Sequence, residues 1–162
     1  MTVSGLAALA TAVLSVEPEP ERILQIGCEQ GDGVFFLARE FPHARVRGLD
    51  RSQEAIDRAV ARMGLDPEGR VAFKRGGRRP LPYPDDCFDL VVQTGGLLLP
   101  VDVTRVLRAD GWLIYLERPR WWWPLPPRAF RLARTLRRLG FETVKLGEVG
   151  DESFYVGRFL EG

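Results

Sequence analysis

The stretch Arg22-Ile-Leu-Gln-Ile-Gly-Cys-Glu-Gln-Gly-Asp-Gly33, with a helix-like run to Phe41 and then Arg45-Val-Arg-Gly-Leu-Asp50, decides the fold. A short apolar strand over Ile23–Ile26 enters a glycine-bearing turn, and a helix opens at that turn over Gly33–Phe41. A second strand, Arg45–Leu49, ends in a lone carboxylate about twenty residues after the turn. Glycines let the backbone turn sharply and approach a ligand, and a helix start offers unpaired N–H groups. An acid at the next strand end suits ribose hydroxyls, so the layout is that of a nucleotide- or adenosyl-cofactor site.

Outward from this stretch, strands and helices keep alternating. Ser4 is placed to cap a helix over Gly5–Leu14, and Glu17-Pro18-Glu19-Pro20 links it to the first strand. Ser52 is a natural N-cap, with Glu54 in the first turn and Gly64 past the end, which predicts a helix over Gln53–Met63. Val71–Lys74 reads as a third strand, Phe88–Gln93 as a continuous buried one, Asp102–Leu107 as a short helix, and Trp112–Glu117 as a strand after an Asp110-Gly111 turn. A helix over Pro127–Leu139 stops at Gly140, and Glu142–Leu146 and Ser153–Phe159 are close enough to pair as a closing hairpin. Continuous apolar strands alternating with helices mean an α/β fold, a mostly parallel sheet covered on both faces.

At 162 residues and 45% hydrophobic composition the chain suits one domain: residues 1–20 as helix and linker, 21–117 as a cofactor-binding core, and 118–162 as a substrate or partner segment with the last helix and the hairpin. A formal net charge of +1 gives no global field favouring nucleic acid or an acidic partner. Cys28 and Cys87 have no metal or redox spacing and His43 is the single histidine, so no metal site is expected. No Lys or Arg precedes the apolar Leu6–Leu14, and nothing is long enough to span a bilayer; the expectation is a cytoplasmic protein.

These phrases in this order, together with Leu-Pro-Tyr-Pro-Asp-Asp-Cys-Phe-Asp-Leu-Val-Val (81–92), Arg-Val-Leu-Arg-Ala-Asp-Gly (105–111) and Leu-Gly-Phe-Glu-Thr-Val (139–144), resemble the class I S-adenosylmethionine-dependent methyltransferases from Arg22 to the end. The resemblance implies a Rossmann-like, seven-stranded sheet with one antiparallel strand at the edge and S-adenosylmethionine as cofactor. Gly27, Gly31 and Gly33 match the turn glycines, Asp50 matches the ribose acid, and Gln93 ends the fourth strand at the cofactor side. Three positions depart from the family pattern. Gln25 replaces an acid that would face the methionine ammonium, Glu29 replaces the central turn glycine, and Gly76-Gly77-Arg78-Arg79 replaces the Gly-Asp whose acid holds the adenine amino group. Glu29 either substitutes for the charge lost at Gln25, or repels the cofactor carboxylate, or is a solvated turn residue; Asp50 has the alternative role of a turn carboxylate before the Ser52 helix.

On the acceptor side, methyl transfer needs in-line geometry more than acid–base chemistry, so no catalytic base is assigned. Gln93-Thr94-Gly95-Gly96 lacks the Asn/Asp-Pro-Pro-Tyr arrangement of amino-methylating nucleic-acid enzymes, which disfavours a nucleic-acid substrate. Candidate substrate or partner residues are Tyr83, Glu117, Trp121, Trp122, Trp123, Arg128 and Arg131. The tryptophans suit an aromatic pocket, while the arginine face after them suits a protein partner or, less favoured, an anionic membrane surface; oligomerisation stays open. The bland alternative is tryptophans packed under a helix with a solvated arginine face. Cys28 reads as a packed turn residue and His43 as a surface one. The functional expectation is a methyltransferase acting on a small molecule, the alternative a methyltransferase-like binding or structural subunit that has lost the cofactor.

Overall fold

Helix and strand alternate from the start of the chain: α1 (Val3–Val13), β1 (Arg22–Ile26), α2 (Asp32–Glu40), β2 (Arg45–Asp50), α3 (Gln53–Arg62), β3 (Val71–Arg75), β4 (Phe88–Thr94), α4 (Pro100–Val106), β5 (Leu107–Glu117), α5 (Arg128–Arg138), β6 (Phe141–Val149) and β7 (Glu152–Phe159). The computed structural model describes residues 1–66, 68–77, 79–96, 100–117 and 128–160, with Ser4 and residues 128–131 described by backbone alone. One sheet runs in the order β3-β2-β1-β4-β5-β7-β6. The first five of these strands are parallel, and β7 is antiparallel to both β5 and β6.

Leu90, Val91 and Val92 are all fully buried, because β4 is covered on both faces as its unbroken apolar run requires. Alternate side chains feed two cores. Ile23, Leu90, Val92 and Ile114 meet Leu9 of α1, Val34 and Leu37 of α2 and Ile56 of α3 on one face. Leu24, Val91, Leu113 and Tyr115 meet Val103 and Val106 of α4 and Leu136 of α5 on the other.

The expected α/β class and seven strands hold, with differences in placement. The antiparallel strand lies one place in from the edge: β7 returns from the hairpin to pair with β5, which leaves β6 outermost. α1 begins two residues before the predicted Gly5, because the Thr2 hydroxyl, not Ser4, caps it: Thr2 Oγ1 accepts from Gly5 N at 3.0 Å and donates to Glu152 Oε1 at 2.9 Å. α4 starts at Pro100, not Asp102, and yields Leu107 to the sheet. β5 therefore starts before the expected Asp110-Gly111 turn, with Leu107 beside Phe88 and a register shift absorbing Asp110 at φ +61°. β6 is longer than expected at both ends, with a second shift between Thr143 and Lys145.

Chain order reverses between β1 and its neighbours β2 and β4. Ile26 lies level with Leu49 on one side and Gln93 on the other, so the ends of these three strands share one crevice.

Candidate cofactor site

The turn after β1 is tied to β2 by backbone. Gly27 N and Cys28 N both donate to Leu49 O, at 2.8 and 3.2 Å, and Gly31 N closes the turn on Cys28 O at 2.9 Å. Gly31 has φ +89° and a Cβ there would stand 2.9 Å from both the Phe35 and Phe73 rings, so neither the conformation nor the space admits a side chain. Glu29 sits at φ +48°, the left-handed region a glycine adopts without cost.

Asp50 holds this turn to the next loop. Its Oδ2 accepts from Glu29 N and its Oδ1 from Ser52 N, both at 2.9 Å. The bond to Ser52 positions the cap of α3, whose Ser52 Oγ accepts from Ala55 N. The turn-carboxylate role considered for Asp50 is therefore real. It occupies one acceptor site on each oxygen, and a carboxylate has about four. The Asp50 carbonyl also accepts from Gly76 N at 2.8 Å, bringing the end of β3 to the same place.

Gln25 is fully enclosed. Its Nε2 donates to Thr94 Oγ1 at 3.3 Å, and its Oε1 is buried without a partner. Gly33, expected as a turn glycine beside the ligand, lies over this side chain: a Cβ at 33 would be 2.4 Å from Gln25 Nε2. The missing side chain at 33 makes room for a long amide at 25.

The Glu29 carboxylate lies with the Met1 amine at 2.6 Å, and the same amine donates to Asp32 Oδ2 at 2.8 Å. Arg62 donates to Asp32 Oδ1 and to Gln30 O, both at 2.8 Å. The amine's hydrogen bond holds the Asp32 carboxyl below its ordinary pKa against the opposing pull of desolvation, with Arg62 assisting. Burial alone would lower the Met1 amine, and its bonds to Asp32 and Glu29 raise it instead. A groove of about 490 Å³ lies on this α1–α2 side, lined by Leu6, Phe35, Phe36, Arg39 and others, and includes neither Asp50 nor Gln93.

Gln93 is nearly fully buried at the end of β4 and donates to Gly95 O at 3.1 Å. Two contacts pin the exit of that strand: Tyr115 Oη donates to Gly96 O at 2.7 Å and Gly95 N donates to Leu116 O at 2.8 Å. Sequence reading missed both Tyr115 and Thr94. Thr94 was signalled by its place next to Gln93, whereas Tyr115 looked like one more core residue of an apolar strand. Glu117 closes β5 at this same end, its carbonyl accepting from Ser153 Oγ at 3.2 Å.

Gly27, Glu29, Gly31, Asp50 and Gln93 thus converge, with Gln25 and Gly33 packed beneath them. Tyr83 makes none of these bonds: its ring stands edge-on to Phe88 at 5.0 Å with Lys74 Nζ 5.7 Å from its centroid, and burial pushes its phenol up to about 12. Burial, with the Asp50 charge added, likewise pushes the Cys28 thiol up to about 12. His43 is exposed on the link into β2. Arg128 and Arg131 lie on α5 with side chains outside the description, and Trp121, Trp122 and Trp123 lie outside the described residues. Among the described residues no three His, Cys, Asp or Glu side chains group to hold a metal ion, and no helix is long and apolar enough to cross a membrane.

A family model described as a methyltransferase domain matches residues 23–111. The fatty-acid O-methyltransferase of Mycolicibacterium smegmatis is 33% identical over 139 residues, 78% of this chain and 50% of that protein. The demethylmenaquinone methyltransferase of Thermus thermophilus is 33% identical over 157 residues, 91% of this chain and 67% of that protein. The chain spans about half the length of the curated relatives it matches. A solved S-adenosylmethionine dependent methyltransferase from Mesorhizobium loti shares the fold, with a TM-score of 0.70 over 92% of this chain and 96% of that one at 19% identity.

Proposed function

Since the chain belongs to the class I S-adenosylmethionine-dependent methyltransferase family, we propose that it uses S-adenosylmethionine to methylate a small molecule. The observation that carries this reading is the Asp50 carboxylate, fixed at the switch point by Glu29 N and Ser52 N with acceptor capacity left on both oxygens. Relatives named for a fatty acid and for demethylmenaquinone support a small-molecule acceptor.

The residues present fit the cofactor at its ribose end. Asp50 would accept the two ribose hydroxyls, and the Gly27–Gly31 turn that it holds through Glu29 N would lie beside the ligand. At the methionine end the fit is weaker. Gln25 is enclosed and uncharged, and the Glu29 carboxylate is engaged with the Met1 amine, so neither offers an uncommitted negative charge to an ammonium group. When bound, the cofactor supplies an electrophilic methyl on its sulfonium. This chain's own part is alignment: Gln93 and Glu117 are polar side chains at the strand ends where an acceptor would be oriented.

Calorimetric titration with S-adenosylhomocysteine tests the reading. Dissociation constants in about the tens of micromolar or weaker are expected, for a site that keeps its ribose acid but not its ammonium acid. No heat at millimolar ligand would overturn it.

A further inference from the structure

Between Arg118 and Gly140 the sequence has seven arginines (two at Arg118 and Arg120, five on α5) and no acid, a formal charge of +7 in a protein whose net charge is +1. The rest of the molecule therefore carries −6. On α5, Leu136 is buried against the sheet while Arg134, Arg137 and Arg138 are exposed on other faces of the helix. Among the described residues none of the three has an ion-pair partner; the same holds of Arg22, Arg39, Arg45 and Arg51, but these are dispersed over the fold, whereas Arg58, Arg62, Arg105 and Arg108 are each matched to an acid. Arg137 and Arg138 lie in the last turn, where the helix dipole favours cations. That accounts for neither Arg134 nor the exclusion of acids over the whole stretch.

We propose that this arginine face of α5 docks the protein on an anionic phospholipid surface. Two observations favour that partner. The positive charge is concentrated on one element while the remainder is net negative, so a negatively charged plane would attract α5 and repel the rest, fixing the orientation of approach. Leu160, an exposed apolar side chain, is held next to the end of α5 by its backbone bond to Gly140 O at 2.8 Å. A nucleic acid would use the charge but not the apolar Leu160 beside it. The inference stands independently of cofactor binding.

Flotation with vesicles of phosphatidylcholine, alone or mixed with phosphatidylglycerol, tests it at low and high salt. The protein is expected to float with the mixed vesicles only, and less at high salt. Arg134→Glu, Arg137→Glu and Arg138→Glu together should weaken this by about a hundredfold or more, at about fivefold for each arginine removed from an anionic surface. The same three changed to Gln, which keeps helix propensity, should weaken it too, and both variants should keep the native circular dichroism. Reversing Arg22, Arg39 and Arg58 instead changes net charge equally and should leave flotation near wild type. Failure of the wild type to float, equal flotation with phosphatidylcholine alone, equal loss in the two sets of variants, or displacement from vesicles by an equimolar DNA oligonucleotide would each overturn the proposal.

Discussion

The backbone N–H of Glu29 donates to Asp50 Oδ2 at 2.9 Å, so the turn that replaces a glycine with an acid is held by the very carboxylate assigned to the ribose. Asp50→Asn separates the two roles. An amide keeps the shape but offers one acceptor oxygen and sets an NH2 against a backbone N–H, so a stability loss of about 1–2 kcal/mol is expected. Chemical denaturation measures it. Titration with S-adenosylhomocysteine should show at least about a tenfold loss of affinity if Asp50 also holds the ribose, and none if its only partners are Glu29 and Ser52.

Glu29 combines a left-handed backbone with a carboxylate paired to the Met1 amine and half exposed. The pair contributes about 1 kcal/mol at most, given its exposure. Glu29→Ala loses that pair and keeps the backbone strain, while Glu29→Gly loses the pair and the strain together. The glycine variant should therefore be the more stable of the two by about 1 kcal/mol in denaturant melts. Because the Glu29 carboxylate is already matched by an amine, Glu29→Gly is also expected to leave cofactor affinity unchanged or tighter. Weaker binding would show that the carboxylate compensates for Gln25.

What the sequence made legible follows from period and punctuation. Unbroken apolar runs such as Leu90–Val92 announce strands covered on both faces, and Ser52 with Gly64 brackets α3 to within a residue. Choices between chemically equivalent residues were not legible. Thr2 and Ser4 are both good caps, and the decision rests on Glu152, which is 150 positions away from Thr2 in the chain. Gly33 looked like a ligand-facing glycine because a sequence shows that a Cβ is missing but not what fills the space, here the Gln25 amide. The start of β5 was hidden by Asp110-Gly111, which reads as a turn between elements and is an irregularity within one, five residues of β5 passing two of β4.

Cys28 and Cys87 should differ in reactivity. Burial pushes the Cys28 thiol up to about 12, and its side chain is enclosed below the turn, whereas Cys87 is partly exposed at the entry of β4. The thiolate is the nucleophile, so at pH 8 folded protein treated with iodoacetamide should be labelled at Cys87 and not at Cys28. Peptide mass spectrometry reads this directly. Labelling of Cys28 at the rate of Cys87 without unfolding would mean that the turn opens in solution.

Gln25 tests why the acid of the family is absent. Its side chain is enclosed between Thr94 and Gly33, and one oxygen already lacks a partner. Gln25→Glu keeps the shape and puts an ionisable group in that slot, where desolvation disfavours the charged form and raises its folded-state pKa above the unfolded value of about 4.3. A group whose acid form is favoured in the folded state binds more protons folded than unfolded. The variant's stability relative to wild type must then fall as pH rises above about 4.3 and level off above the folded pKa. Denaturant melts of both proteins at pH 5 and pH 8 should show a gap that widens by about 1–3 kcal/mol at the higher pH. A gap independent of pH would mean that the carboxylate at 25 is accommodated in its charged form, by the N–H groups at the start of α2 or by water, and that its replacement by an amide is not dictated by burial.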